Sequence, residues 1–172
     1  MNIREYAKYD ATGLAELVRK KEVTPKELAL TAARAIAKAN PELNGVIETY
    51  DDRINGLDEK TLGNGPFRGV PLLMKDVFGH EKGRTIEYGS RLCAGMTVEE
   101  GTYFVDMLKA AGVNILGRSA APEYSSVSTA RAVPWSARKN SRVLTARFSA
   151  ASASGVRVRA VAVGRAISAR RP

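Results

Sequence analysis

Apolar and polar residues alternate along this chain with two periods. The first helical stretch has Leu14, Leu17 and Val18 on one face, with Asp10 or Thr12 as its cap and Lys20-Lys21 in its last turn, where cations suit the helix dipole. Thr24-Pro25-Lys26-Glu27 is a start signal: Thr24 as N-cap, Pro25 at the first helical position and Glu27 closing a capping box. The helix that follows has Leu28, Ala32, Ala35 and Ile36 as its buried stripe and is expected to end near Ala39, at Asn40-Pro41. Asn44-Gly45 then turns the chain into a short strand, Val46 to Tyr50, followed by one or two helical turns from Asp51 to Leu57.

The run Val70 to Met74 is apolar and bounded by Gly65, Pro66 and Gly69 before it and Gly79 after it, which reads as a buried strand. The segment from Val77 to Gly95 is rich in glycine and reads as a loop held close against something else. Thr97-Val98-Glu99-Glu100 reads as a second capping box, opening a helix with Phe104, Val105, Leu108 and Ala111 inward and Gly112 as its stop. Val113 to Gly117 reads as a further strand. Helix, glycine, strand is half of a crossover unit, so the strands at Val70 and Val113 are expected to be parallel neighbours in an α/β sheet.

Such sheets carry reactive groups at the carboxyl ends of their strands. Lys75 and Arg118 both stand at such ends. A lysine leaving the core is expected to be partly desolvated, which disfavours its charged form and suits it to act as a base. The same position also suits a lysine that lays its stem on the core and reaches water.

Composition narrows the chemistry. The chain has 172 residues, one cysteine (Cys93) and one histidine (His80). No internal disulfide and no cysteine cluster for a metal can form, and a Ser-His-Asp triad would have to use His80. No apolar run is long enough to cross a bilayer, and the first residues lack the apolar core of a signal peptide, so a soluble cytoplasmic protein is the expectation. The net charge of +9 is unevenly placed: residues 130–172 hold nine arginines, one lysine and no acid, whereas residues 1–129 hold 17 basic and 18 acidic residues.

Several spaced motifs carry a resemblance. Gly69-Val70-Pro71, then Lys75-Asp76, then Gly89-Ser90, then the helix ending at Ala111-Gly112, then Gly117-Arg118-Ser119-Ala120-Ala121-Pro122-Glu123-Tyr124 together resemble the amino-terminal part of the amidase signature family. The paired helices before them fit as well, so the resemblance covers roughly residues 5–129. Within the family, the stretch from Arg84 to Ser90 is most similar to bacterial amidases related to 6-aminohexanoate cyclic dimer hydrolase. The fold implied is α/β, an N-terminal fragment of a mixed sheet flanked by helices. Residues 1–129 would be a partial domain, and residues 130–172 an irregular Arg/Ala/Ser-rich tail.

The resemblance implies hydrolysis of a small-molecule amide by a neutral lysine, a serine in a cis peptide and a nucleophilic serine, with no cofactor and no metal. Lys75 matches the lysine. Asp76 matches its neighbour, expected to orient backbone rather than react. His80 has no part in this scheme and is expected to be a solvated loop residue.

The chain departs from the family in its second half. The paired-glycine serine loop is missing; Ser149, Ser152 and Ser154 lie near its expected distance from Lys75 but lack the glycines that let backbone approach an oxyanion. Neither the cis-serine nor the nucleophile is carried over to any residue, and the chain is expected to be inactive as written. A change of reading frame near Ala130 with early termination at Pro172 would explain the tail's charge, composition and lost motif together. The rival reading takes the tail as a basic arm for nucleic acid or an acidic partner. Against it stand only two aromatics, Trp135 and Phe148, for stacking on bases. A subunit that completes its fold with a separate chain is a third reading. Oligomeric state is left open.

Overall fold

The computed structural model describes residues 1–126. Eight elements follow one another: α1 (Ile3–Tyr6), α2 (Ala11–Arg19), α3 (Pro25–Leu43), β1 (Val46–Thr49), α4 (Asp51–Ile54), β2 (Pro71–Lys75), α5 (Tyr103–Ala110) and β3 (Asn114–Ser119), with short 3-10 turns at Glu59–Thr61, Arg91–Cys93 and Glu123–Ser125. The sheet is mixed, in the order β1-β3-β2, with β1 antiparallel and β2 parallel to the central β3. The expected parallel pair is therefore present, and it is closed by α5 as the crossover.

Local chemistry accounts for most boundaries. Asp10 caps α2 by accepting from the Gly13 amide, and Thr24 and Glu27 form the reciprocal capping box of α3. The helix does not stop at Asn40-Pro41 as expected but runs on to Leu43. Pro41 lies in the last turn, where it removes a single backbone donor, and the exit is held by two other features. Asn44 adopts the left-handed conformation at φ +48° with its amide on the Asn40 carbonyl, and the Asn40 side chain exchanges hydrogen bonds with the backbone of Val46 in both directions.

The start of α5 also differs from expectation. Thr97 to Glu100 is not helical: Thr97 bridges to Thr85, and the Val98 carbonyl accepts from the Gly83 amide, so this stretch is tied to the preceding loop. The helix begins at Tyr103. Val105 is buried and Leu108 packs partly against the core, but Phe104, expected inward, is 56% exposed beside the exposed Tyr103 and Met107.

Burial follows the sheet. Leu116 of β3 packs with Ala29 and Ala32 of α3 and with Ile54, Leu57 and Leu62; Ile115 packs on the other side with Tyr50, Met74 and Val105. A third cluster joins Leu14 and Ala15 of α2 to Val23, Leu28 and Val70. Central β3 is covered on both faces, as a strand between two layers must be. Gly117 permits this packing, because a Cβ there would overlap the Glu48 carbonyl of β1. Among the described residues, β1 and β2 each keep one open edge.

Candidate active site at the end of the parallel strands

Lys75 is the last residue of β2, opposite Ser119 of β3. The strand is prolonged by one further bond, from the Asp76 amide to the Ser119 carbonyl at 3.0 Å, and the Ser119 hydroxyl donates to the Met74 carbonyl. The backbone bearing the lysine is thus pinned to β3 on both sides. Lys75 is exposed, so the burial expected of it is not found among the described residues. Its Nζ lies 3.5 Å from Ser125 Oγ, at the outer limit of a hydrogen bond. Among the described residues no carboxylate forms an ion pair with it. Lys75 also lines a cavity behind the strand end, with Tyr50, Met74, Glu81, Arg84 and Ile86, that is too small for a substrate.

Asp76 takes the opposite course. Its side chain turns inward and is 1% exposed. Oδ1 accepts from the Glu87 amide at 2.9 Å and from Arg118 at 2.6 Å, and Oδ2 accepts from the Gly89 amide at 3.1 Å. This is the backbone-orienting role expected of it. Arg118, which sequence position alone had placed among reactive groups, is buried in an ion cluster instead. It donates to Glu48 of β1, to Asp76 and to Glu87 of the loop, at 2.7, 2.6 and 3.3 Å. Burial alone would lower its pKa, but the Glu48 hydrogen bond and the Asp76 charge outweigh it and hold the guanidinium above its ordinary value. Three of its five N–H donors are taken by carboxylates and the side chain is buried, so it is a structural cation here rather than one held out to a substrate.

The loop from Val77 to Thr102 packs across the strand ends by similar contacts. His80 is half-buried rather than solvated: its Nε2 meets the Tyr88 hydroxyl at 2.9 Å. The Tyr88 ring stacks on Tyr124 at 5.9 Å between centroids, and the Tyr124 amide donates to the Tyr88 carbonyl. Ser90 bonds Glu123 at 2.8 Å. Tyr50 is buried under Arg84, whose guanidinium lies 4.1 Å from the ring centroid, and burial pushes the Tyr50 hydroxyl up to about 12.

Sequence reasoning did not single out Ser125, Tyr88, Glu48 or Glu87. The first two reach the site through loop geometry that no periodicity encodes. The carboxylates had one available signal: Arg118 in an otherwise buried strand requires partners of opposite charge. Ser149, Ser152 and Ser154 lie outside the described residues. Among the described residues no group of histidine, cysteine or carboxylate side chains is arranged to hold a metal, and no helix is long and apolar enough to cross a membrane.

Residues 27–169 match the family described as Amidase, and the matched range runs on into the basic segment. The 6-aminohexanoate-cyclic-dimer hydrolase of Paenarthrobacter ureafaciens is 34% identical over 133 residues, 76% of this chain and 27% of that protein. The lipoamidase of Enterococcus faecalis is 33% identical over 120 residues, 69% of this chain and 17% of that protein. A solved 6-aminohexanoate cyclic dimer hydrolase with substrate bound matches with a TM-score of 0.68 and 32% identity, over 78% of this chain and 28% of that one. The native peptide amidase of Stenotrophomonas maltophilia matches with a TM-score of 0.61 and 26% identity, over 69% of this chain and 26% of that one. The chain thus spans between 17% and 28% of the length of these relatives.

Proposed function

Because the chain belongs to the amidase family, we propose that it carries the lysine-bearing segment of a hydrolase for carboxylic amide C–N bonds, with Lys75 as the base. The observation that carries this reading is the placement of Lys75: the final residue of a strand in a parallel pair, in no ion pair with a described carboxylate, with its amine beside a serine hydroxyl.

The chemistry follows from the family's residues. In the family's scheme the lysine acts in its neutral form and takes a proton, by way of a bridging serine hydroxyl, from a nucleophilic serine. That serine's Oγ bonds to the amide carbonyl carbon, and the C–N bond breaks as the relayed proton passes to the leaving nitrogen. Water then attacks the acyl ester with the lysine again as base, returning the free serine and a carboxylic acid. The substrate is a small-molecule amide, linear or cyclic.

None of the serines in the basic segment stands in a paired-glycine loop, so the chain as written is proposed to lack a working nucleophile. We attribute this to a change of reading frame near Ala130. Translating the coding sequence in its other two frames checks that directly: recovery of a glycine-serine loop supports it, and its absence from both frames overturns it.

The functional test is hydrolysis of a simple aryl amide by the full chain and by Lys75→Ala. No turnover above buffer is expected from either. Turnover abolished by Lys75→Ala keeps the lysine's role and overturns the lack of a nucleophile; turnover that survives the substitution overturns the role itself. The charge of the basic segment favours a second reading, a nucleic-acid arm, which a salt-dependent shift with random DNA or RNA would support.

A further inference from the structure

The contacts around Lys75 close into a ring. Asp76, the next residue, is anchored by Arg118 and accepts the Glu87 and Gly89 amides, which flank Tyr88. Tyr88 accepts the Tyr124 amide on its carbonyl and stacks on the Tyr124 ring. Gly89, at φ +64°, lies so close to the Ala121 carbonyl that a Cβ there would overlap it, so the loop is pressed directly onto the segment leading to this turn. Tyr124 and Ser125 occupy the left-handed region in succession, at φ +46° and +55°. Two adjacent non-glycine residues held there are strained, and such strain persists only where the surroundings over-determine it. The next atom round the ring is Ser125 Oγ, which faces Lys75 Nζ.

We propose that Asp76 is a positioning residue for Lys75, acting through the loop it anchors. Its carboxylate fixes residues 87–89, Tyr88 fixes the strained turn, and the turn presents the Ser125 hydroxyl to the amine. The lysine is thereby aimed from outside its own strand. A lysine stem has four rotatable bonds and no directional preference of its own, so a second contact is needed to hold the amine in place. The inference rests on the assignment of Lys75 as base. Its test reads the surroundings of the amine and not turnover, so the two can fail separately.

The experiment uses the full chain and two readouts: exchange rates of individual backbone amides, and the rate at which the Lys75 amine is acylated by a small reagent, relative to the exposed Lys26. In Asp76→Asn the side chain loses its charge and keeps one oxygen, and its NH2 presents donors where either the Gly89 amide, or the Glu87 amide and Arg118, need an acceptor. Exchange is expected to rise at Glu87, Gly89 and Tyr124 but not in α3, and Lys75 labelling to rise about twofold, the factor set by loss of one weak hydrogen bond. Tyr88→Ala leaves the Asp76 bonds intact. It removes the ring that stacks on Tyr124 but keeps the backbone carbonyl that accepts the Tyr124 amide, so exchange at Glu87 and Gly89 is expected to stay as it was, Tyr124 exchange to rise less than in Asp76→Asn, and Lys75 labelling to rise. Unchanged Lys75 labelling in either folded variant overturns the proposal. Where Asp76→Asn loses protection in α3 as well, the Tyr88→Ala result decides.

Discussion

Replacing Arg118 by methionine tests the physical account of the site most severely. The substitution keeps an unbranched side chain of similar reach and removes the charge. Three carboxylates then face one another across the strand ends. Glu48 and Glu87 have side chains about one-third exposed, at 36% and 31%, and can rehydrate, so their loss is worth little, about 0–1 kcal/mol each. Asp76 has no such outlet. It keeps two amide donors but loses its only charge partner among the described residues while 1% exposed. Breaking a buried pair from one side costs about 3–5 kcal/mol, because the remaining charge is left uncompensated. Even a whole domain has a total stability of only about 5–15 kcal/mol, so a loss of this size should bring the variant to the edge of folding. Urea denaturation of the full chain, followed by far-UV circular dichroism, measures the loss. The double variant Asp76→Asn/Arg118→Met removes the stranded charge and should be more stable than Arg118→Met alone, despite carrying one more substitution. A cost below about 1 kcal/mol, or a double variant no better than the single one, would refute the reasoning.

Three further outcomes follow from the same structure. The Tyr50 hydroxyl is raised to about 12 in the folded chain by burial first and by Glu48 second, so the folded state holds that proton more tightly than the unfolded state does. Its contribution is fully present below pH 10 and is lost as pH rises from 10 through about 12, at most about 3 kcal/mol; urea midpoints between pH 9 and 11.5 should fall, and fall less in Tyr50→Phe. Gly117→Ala should abolish the cooperative thermal melt, because the added Cβ overlaps the Glu48 carbonyl in a strand buried on both faces; a melt within a few degrees of the parent would contradict that packing. Thr24→Ala should cost about 1 kcal/mol by urea titration, since it removes the acceptor for the Glu27 amide at the start of α3.

The elements fixed by local rules were legible from the chain. The capping box at Thr24, the apolar run ending at Lys75 and the Gly112 stop each place a boundary through chemistry within a few residues. The parallel pairing of β2 with β3 follows from one topological rule. What was not legible depends on contacts distant in sequence. Thr97-Val98-Glu99-Glu100 satisfies the capping pattern, yet bonds to the loop at Gly83 and Thr85 compete for the same stretch and win. Pro41 breaks the donor ladder, but the Asn40 side chain reaches six residues ahead to Val46 and carries the helix past it. At the site, Lys75 and Asp76 stood out as a pair. That one would face outward and the other inward follows from the alternation of a strand, but the identity of their partners did not. Ser125 lies 50 residues from Lys75, and Glu48 lies 70 from Arg118.

The role of Lys75 can be read in a complete active site by transplanting its surroundings. In the Paenarthrobacter ureafaciens hydrolase, the matched 133-residue segment is replaced by the corresponding residues of this chain, and turnover of that enzyme's own substrate is measured with and without Lys75→Ala. The chimera should hydrolyse the amide, and Lys75→Ala should lower kcat by at least about 10²-fold, the lower bound for losing a general base, while Lys82→Ala leaves it unchanged. A chimera that folds without turnover, or one whose Lys75→Ala variant stays within about tenfold of it, would contradict the assignment.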